Sequence, residues 1–391
     1  MGSNFSKDPS IKMIPQSYQL HLQSQFNLAE HLLLRCLIQI LQLTKTLSLE
    51  KLATALPFPI LFSSRKKKIQ RFLMLPQLGF KTLWFPILRS LIPTLFPANS
   101  TLYLAMDRTN WRSTNLMVVS LIYDKRAIPV YIQILNKQGS SNLEEQRQVL
   151  KPVIRLLKDY TIVILGDREF CSVKLGNWLQ EQSVGFALRL KKNENIRRDS
   201  DFVKLSELGL KPGTDLFIEG VSITKQNGFG PFNIAGKWQR KYRDWVADEG
   251  WFILTNLGSL EETINAYRKR FNIEEMFRDF KSGGYHLEDT QITGDRLIGL
   301  LVILTLAYSI TTIEGKTLKK MGLQKYIGRV LEKGRSERRH SRFYVGLYSR
   351  TWVNFYGDFQ DCIVSLIELS PNQWPHYRKG IRAMELAISA L

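Results

Sequence analysis

Apolar positions recur at helical spacing through LAEHLLLRCLIQILQL, and residues 18–95 as a whole predict helices. SLEKLATAL follows, with Ser48 placed as a cap. PFPILFSSRKKKIQRFL gives another helix, capped by Ser63 or Ser64, whose first turns carry Arg65, Lys66, Lys67 and Lys68. Such a helix suits contact with DNA phosphates, and equally suits a solvated face on a structural helix. Residues 1–97 are expected to form one helical region.

The pattern changes near residue 98. TLYLAMD is a strand ending at Asp107, and LMVVSLIYD and AIPVYIQIL are two more strands, read as antiparallel to it. SNLEEQRQVLKPVIRLLKDY is a helix with Ser141 and Glu144 in capping-box positions and a kink expected at Pro152. TIVILGD is a continuous apolar run, as expected of a buried parallel strand, and ends at Asp167. Three strands, a helix and a strand open a ribonuclease-H-like sheet.

Residues 171–250 alternate short apolar stretches such as GFALRL and DLFIEGVSI with polar, Gly-rich segments, and predict a β-rich insertion. WFILTNL begins the return to the core. From Ser259 the pattern is helical through Lys281, where Gly283 and Gly284 supply a stop. LIGLLVILTLAYSI reads as a buried helix, too short for a comfortable membrane span. The expected organisation is a mixed α/β core over 98–170 and 251–315, an insertion at 171–250, and a helical tail over 316–391 with the basic run GRSERRHSR.

Charge sharpens this picture. There are 55 Lys and Arg against 35 Asp and Glu, a net +20. That excess favours a polyanion, nucleic acid first, because each neutralised phosphate releases a counterion. An anionic membrane surface fits the same number. Apolar residues make up 44% of the chain, enough to bury real cores. Cys36, Cys171 and Cys362 lie far apart with no CxxC pair, so neither a zinc site nor a disulfide framework is expected, and a reducing cytoplasm fits. The N-terminus is polar, without a secretory-signal pattern; its Met-Gly-Ser-Asn-Phe-Ser opening matches a short myristoylation pattern that commonly arises by chance.

Two aspartates following apolar strands are the first candidates for chemistry. If strands one and four are adjacent and parallel, Asp107 and Asp167 emerge at one edge. Phosphoryl transfer with paired divalent ions needs such convergent carboxylates, since hard cations take oxygen ligands. A strand-terminal aspartate is also commonly a turn or cap residue. YRKRFNIEEMFRDFK then places Tyr267, Arg270, Glu274 and Lys281 at steps of three, four and seven, which share a face on a continuous helix. Asn272 could instead start a new helix and break that face at Phe271. Arg/Glu alternation also occurs on surface helices that carry only salt bridges.

The Tyr-x2-Arg-x3-Glu-x6-Lys spacing resembles the signature of DDE transposases in the insertion-sequence-four group. DRTNW resembles that family's first acidic motif and GDREF its second, so the resemblance covers about residues 98–310. It implies a ribonuclease-H-like mixed sheet with flanking helices, interrupted by a β-rich insertion between the second Asp and the Glu. Asp107, Asp167 and Glu274 would be catalytic metal ligands for two Mg²⁺ ions, with Mn²⁺ as a substitute. Glu275 is the neighbouring competitor, and the spacing selects Glu274. Tyr267, Arg270 and Lys281 would contact phosphates near the cut end, and Arg168 beside Asp167 joins the DNA-binding set. Trp251 would stack a base flipped from a hairpinned end, with Trp238 and Trp245 as nearby competitors. The implied activity is cut-and-paste transposition of an insertion sequence: end cleavage through a hairpin, then strand transfer. The partners are double-stranded element ends, target DNA and a second copy of the chain. A ribonuclease-H-like nuclease without strand transfer, or a non-catalytic DNA-binding derivative, are the alternatives.

Overall fold

Helices come first among the described residues, as the apolar spacing there requires. The computed structural model describes residues 15–198, 201–223, 229–240, 248–331, 333, 340–369 and 371–391. The first helices are α1 (Gln16–Gln25), α2 (Leu28–Thr44), α3 (Leu49–Ala55), α4 (Phe62–Phe72) and α5 (Phe85–Leu95). Asn27 caps α2 in a reciprocal pair with Glu30. Ser48 does occupy the cap position of α3. Ser63 and Ser64 do not cap α4, because the Leu61 carbonyl already accepts from the Ser64 and Arg65 amides and closes the first turn upstream of them.

A ten-stranded sheet follows, in the order β3-β2-β1-β4-β5-β10-β9-β8-β6-β7. Its strands are β1 (Leu102–Trp111), β2 (Thr114–Tyr123), β3 (Arg126–Leu135), β4 (Ile162–Gly166), β5 (Gly185–Arg189), β6 (Asn195–Arg198), β7 (Asp201–Lys204), β8 (Asp215–Ile223), β9 (Phe229–Lys237) and β10 (Trp251–Thr255). β1, β2 and β3 form an antiparallel meander, whereas β4 is parallel to β1 and β5 is parallel to β4. This is the ribonuclease-H-like core. β10 then pairs antiparallel with β5 on one side and with β9 on the other, so the β-rich stretch continues the same sheet.

Two local expectations change. β1 does not end at Asp107: the polar DRTNW segment continues in register with β2 as far as the Trp111–Thr114 pair, leaving Asp107 in mid-strand. Helix α6 (Leu143–Leu156) is capped by Asn142 with Glu145, one residue beyond the expected pair. Ser141 is drawn away because its amide and hydroxyl both donate to Glu169. Pro152 lies inside α6.

Helix α7 (Val173–Glu181) precedes β5, and α8 (Leu260–Lys269) and α9 (Asn272–Phe280) follow β10. The helical pattern from Ser259 is therefore broken at Arg270 and Phe271. Then come α10 (Gly294–Lys320), α11 (Gln324–Ile327), α12 (Arg342–Asp358), α13 (Gln360–Glu368) and α14 (Trp374–Ala390).

The chain divides into two compact units, Leu88–Phe277 and the combination of residues 1–87 with 278–391. In the second, α10 is the central helix. It has 27 residues, longer than the apolar run alone predicts, and is long and apolar enough to cross a membrane, but 89% of its most apolar window is buried within the protein. Tyr18 donates to Ser309, and Gln42 donates to Thr311, so N-terminal helices anchor to its polar positions. α10 and α12 approach backbone to backbone. A Cβ on Gly315 would lie 1.9 Å from the Arg342 carbonyl oxygen, and one on Gly346 1.9 Å from that of Thr311.

Candidate active site

The parallel register of β1 and β4 runs from Leu102 opposite Ile162 to Met106 opposite Gly166. The next residue in each chain segment is an aspartate, so Asp107, still within β1, and Asp167, just past the end of β4, stand side by side beyond the last parallel pair. The Asp107 Oδ1 accepts from the Arg108 amide at 2.7 Å, and the Asp167 Oδ1 accepts from the Glu169 amide at 2.8 Å. Asp167 thereby caps the short turn Arg168–Phe170, so it also performs the structural role open to a strand-terminal aspartate. Burial pushes the Asp107 carboxyl up to about 7, and the Asp167 charge pushes the same way, aided by Glu274. The Arg108 amide and the Arg270 guanidinium oppose that rise.

Arg270 sits in the break between α8 and α9 and is buried. Its Nη2 donates to Glu274 Oε1 at 2.6 Å and its Nη1 to Asp107 Oδ2 at 3.4 Å. One guanidinium thus links the aspartate on β1 to the glutamate on α9. Glu275 is directed elsewhere, to Arg126 Nη1 at 2.9 Å. Tyr267 is buried beside Arg270, and burial raises its phenol above the usual range. Its ring meets Trp251 edge-on at 5.1 Å, and Phe271 completes the cluster, 5.9 Å from Trp251 and 6.4 Å from Tyr267. Lys281 falls one residue beyond α9, in the other unit, where it pairs with Glu288 at 2.8 Å.

The donor set is chemically suited to a hard divalent cation: carboxylate oxygens, two of them mutually repelling when ionised. Among the described residues, however, no three acidic, His or Cys side chains stand close enough to hold one. Glu274 is engaged by Arg270, whose positive charge lies between the carboxylates.

Sequence reasoning missed a supporting network. Arg108 forms an ion pair through Nε with Glu169, and its Nη1 donates to Asn115 at 2.8 Å. Glu169 also accepts from Ser141. The two acidic motifs are therefore tied together by the residues immediately after their aspartates. Arg108 and Glu169 stand inside DRTNW and GDREF, so the motifs held the signal.

Beside the carboxylates lies a pocket of about 910 Å³ with Trp251 and Phe271 in its wall. Its polar lining includes Arg168, Arg189, Lys237 and Glu249. Trp238 directly follows β9 and extends its pairing beyond the start of β8, donating from its amide to the Thr214 carbonyl. Trp245 lies outside the described residues, as do residues 334–339 of the basic run. In the other unit, Arg65 donates to the Leu56 carbonyl at 3.1 Å, Lys66 pairs with Glu50, Lys68 lies over the Phe58 ring, and Lys67 and Lys68 are exposed.

Residues 103–310, more than half of the chain, match the family model for the transposase DDE domain. The chain belongs to that family. Among solved structures it is similar to a piggyBac transposase, determined as a synaptic complex with hairpin DNA, at 11% identity and a TM-score of 0.42 over 90% of this chain and 79% of that one. No curated protein matches the chain.

Proposed function

We propose that the chain catalyses cut-and-paste transposition of an insertion sequence, as a member of the insertion-sequence-four group. One observation carries the reading: Asp107 and Asp167 leave the parallel pair β1/β4 side by side, with Glu274 linked to Asp107 through Arg270. In a chain of the transposase DDE domain family, that proximity supports the reading.

Asp107, Asp167 and Glu274 would hold two Mg²⁺ ions, or Mn²⁺ in their place. The ions would stabilise the attacking and leaving oxygens of an in-line displacement. The protein's own residues supply position. The sheet fixes the two aspartates, and the Arg108–Glu169 pair holds both motifs in one register. Release of Glu274 from Arg270 completes the acidic set and frees a buried guanidinium for a DNA phosphate. Tyr267 stiffens Trp251, which would stack a base flipped from a hairpinned end. Lys281 and Arg168 would add phosphate contacts, as would Arg65, Lys66, Lys67 and Lys68 on α4. The division into an N-terminal DNA-binding region, an interrupted catalytic core and a basic tail belongs to the same reading. So do a homodimer on paired ends and a cytoplasmic location on DNA.

The test is incubation with the DNA flanking the chain's own gene, with and without Mg²⁺. Metal-dependent nicks at inverted repeats, followed by hairpin and joined products, are expected. Nicks without joining would leave a nuclease, and binding without nicks would leave a DNA-binding derivative.

A further inference from the structure

Glu249 occupies an unusual position. A single oxygen, its Oε1, accepts from Arg168 Nη1 at 2.6 Å and from Arg189 Nη2 at 2.7 Å. The two arginines come from neighbouring parallel strands, Arg168 just after β4 and Arg189 at the end of β5. Glu249 comes from the segment leading into β10. Two guanidinium groups therefore converge on one carboxylate oxygen, leaving the cluster net positive. Arg168 directly follows Asp167, so the cluster borders the carboxylates, and all three side chains line the pocket that holds Trp251. Two converging arginine forks match the oxygens of a phosphate better than one shared carboxylate oxygen, because a phosphodiester offers two non-bridging acceptors.

We propose that Arg168 and Arg189 form a binding subsite for a DNA backbone phosphate, and that Glu249 fills it as an internal stand-in until DNA displaces it. This inference rests on the transposase reading and adds to it a defined anion site and a built-in competitor. Lys237 stands in the same pocket, paired with Asp215 on β8 at 3.5 Å, and extends the positive wall. Displacement costs one partly exposed ion-pair set and gains a charge-assisted contact to the substrate. DNA that cannot reach the pocket has no means of removing Glu249, so the device favours an end threaded past Asp167 over duplex lying on the surface.

The test uses the full chain and a labelled duplex carrying the element end from its own flank. Binding is measured in chelator to prevent cleavage, with thermal melting in parallel. Glu249→Gln should bind about three- to tenfold tighter than wild type, since the competitor is gone. Arg168→Gln with Arg189→Gln should bind about tenfold or more weakly, and Glu249→Gln should bring no gain in that background. Glu249→Asp keeps the charge but reaches less far, and should fall between wild type and Glu249→Gln. Asp248→Asn, in the same pocket, controls for simple loss of negative charge. An equal gain from Asp248→Asn, or unchanged or weaker binding by both Glu249 variants, overturns the proposal. If wild type neither binds nor nicks the duplex, the transposase reading itself fails. If nicking depends on the three carboxylates but the Glu249 variants bind no tighter, only the phosphate subsite falls.

Discussion

Arg270 and Glu274 are joined at 2.6 Å across an interruption in the helix that carries them. The same guanidinium faces Asp107 at 3.4 Å. A positive charge of the protein itself therefore stands between the strand carboxylate and the helix carboxylate. Under the proposed reading, divalent ions would take the place of that charge between the two carboxylates.

The three carboxylates should be indispensable. Asp107→Asn, Asp167→Asn and Glu274→Gln are each expected to lower nicking of an element end by about a thousandfold or more, as loss of several kcal/mol of transition-state stabilisation implies. DNA affinity in chelator should change little. Glu275→Gln should be far milder, because Glu275 serves Arg126. A Glu275 variant as dead as Glu274→Gln would reverse the assignment of the helix ligand.

Asp107 gives the site a pH dependence. Its carboxyl is raised to about 7 by burial and by Asp167, above the ordinary 3.8 that it regains on unfolding. The folded state then binds the extra proton, so its contribution to stability is full below the unfolded value and is lost as pH rises toward 7. Asp107→Asn should flatten that loss and raise stability at pH 8 by on the order of 2 kcal/mol, measured by denaturant melts without metal. Mg²⁺ held there as proposed would displace the same proton, so its affinity should weaken as pH falls below about 7. Calorimetry in buffers of different ionisation enthalpy would count the proton, and a pH-independent affinity would contradict the shift.

Arg270, Lys281 and Trp251 should separate the steps of the reaction. A first nick needs one phosphate and a water in line, whereas a hairpin also needs the end distorted and held. Arg270→Ala and Lys281→Ala should spare nicking relative to hairpin and joining by about ten- to a hundredfold, the cost of one charge-assisted contact. Trp251→Ala should follow the same pattern and be partly rescued by an abasic nucleotide at the flipped position. Uniform loss of nick, hairpin and joined product, with no rescue, would reduce these residues to supports of the fold.

The basic helix α4 should act through phosphates. Reversing Arg65, Lys66, Lys67 and Lys68 together to Glu should weaken DNA binding and make the logarithmic salt slope shallower by about one to three. An unchanged affinity and slope would take α4 off the DNA.

The crossing of α10 and α12 permits no side chain at Gly346. Gly346→Ala should destabilise by about 3 kcal/mol, outweighing the ~1 kcal/mol that alanine gains in a helix, because its Cβ would meet the Thr311 carbonyl oxygen at 1.9 Å. Gly380→Ala in α14, where a Cβ meets open space, should stabilise instead. Thermal melts of the two variants should move in opposite directions.

The legible parts of this molecule are those encoded within a few residues. The apolar runs before Asp107 and Asp167 announce two buried strands, whereas the Arg270–Glu274 ion pair was open in the sequence only as the alternative to phosphate and metal contacts. Strand β1 was legible only in part, because the DRTNW segment is held by pairing with β2 rather than by its own hydrophobicity. Ser141 and Asn142 both satisfy a capping pattern, and the choice between them depends on Glu169, distant in sequence. Glu249 with Arg168 and Arg189 left no local trace. Three residues separated by whole elements obey no period, and only the pairing of β5 with β4 and β10 brings them together.

Strand β10 is shared property. Three of its residues pair with β5 in the core, and all five pair with β9 in the added hairpins. Growth, shrinkage or exchange of the turns beyond β9 is therefore taken up at the far margin of the sheet. Arg189 is held on the near side of that seam by its pairing with Ile253, and Trp251 on the far side by its pairing with Lys237. Exchange of the turns beyond β9 should therefore leave β10 and its two flanking partners in place, and loop grafts should begin there.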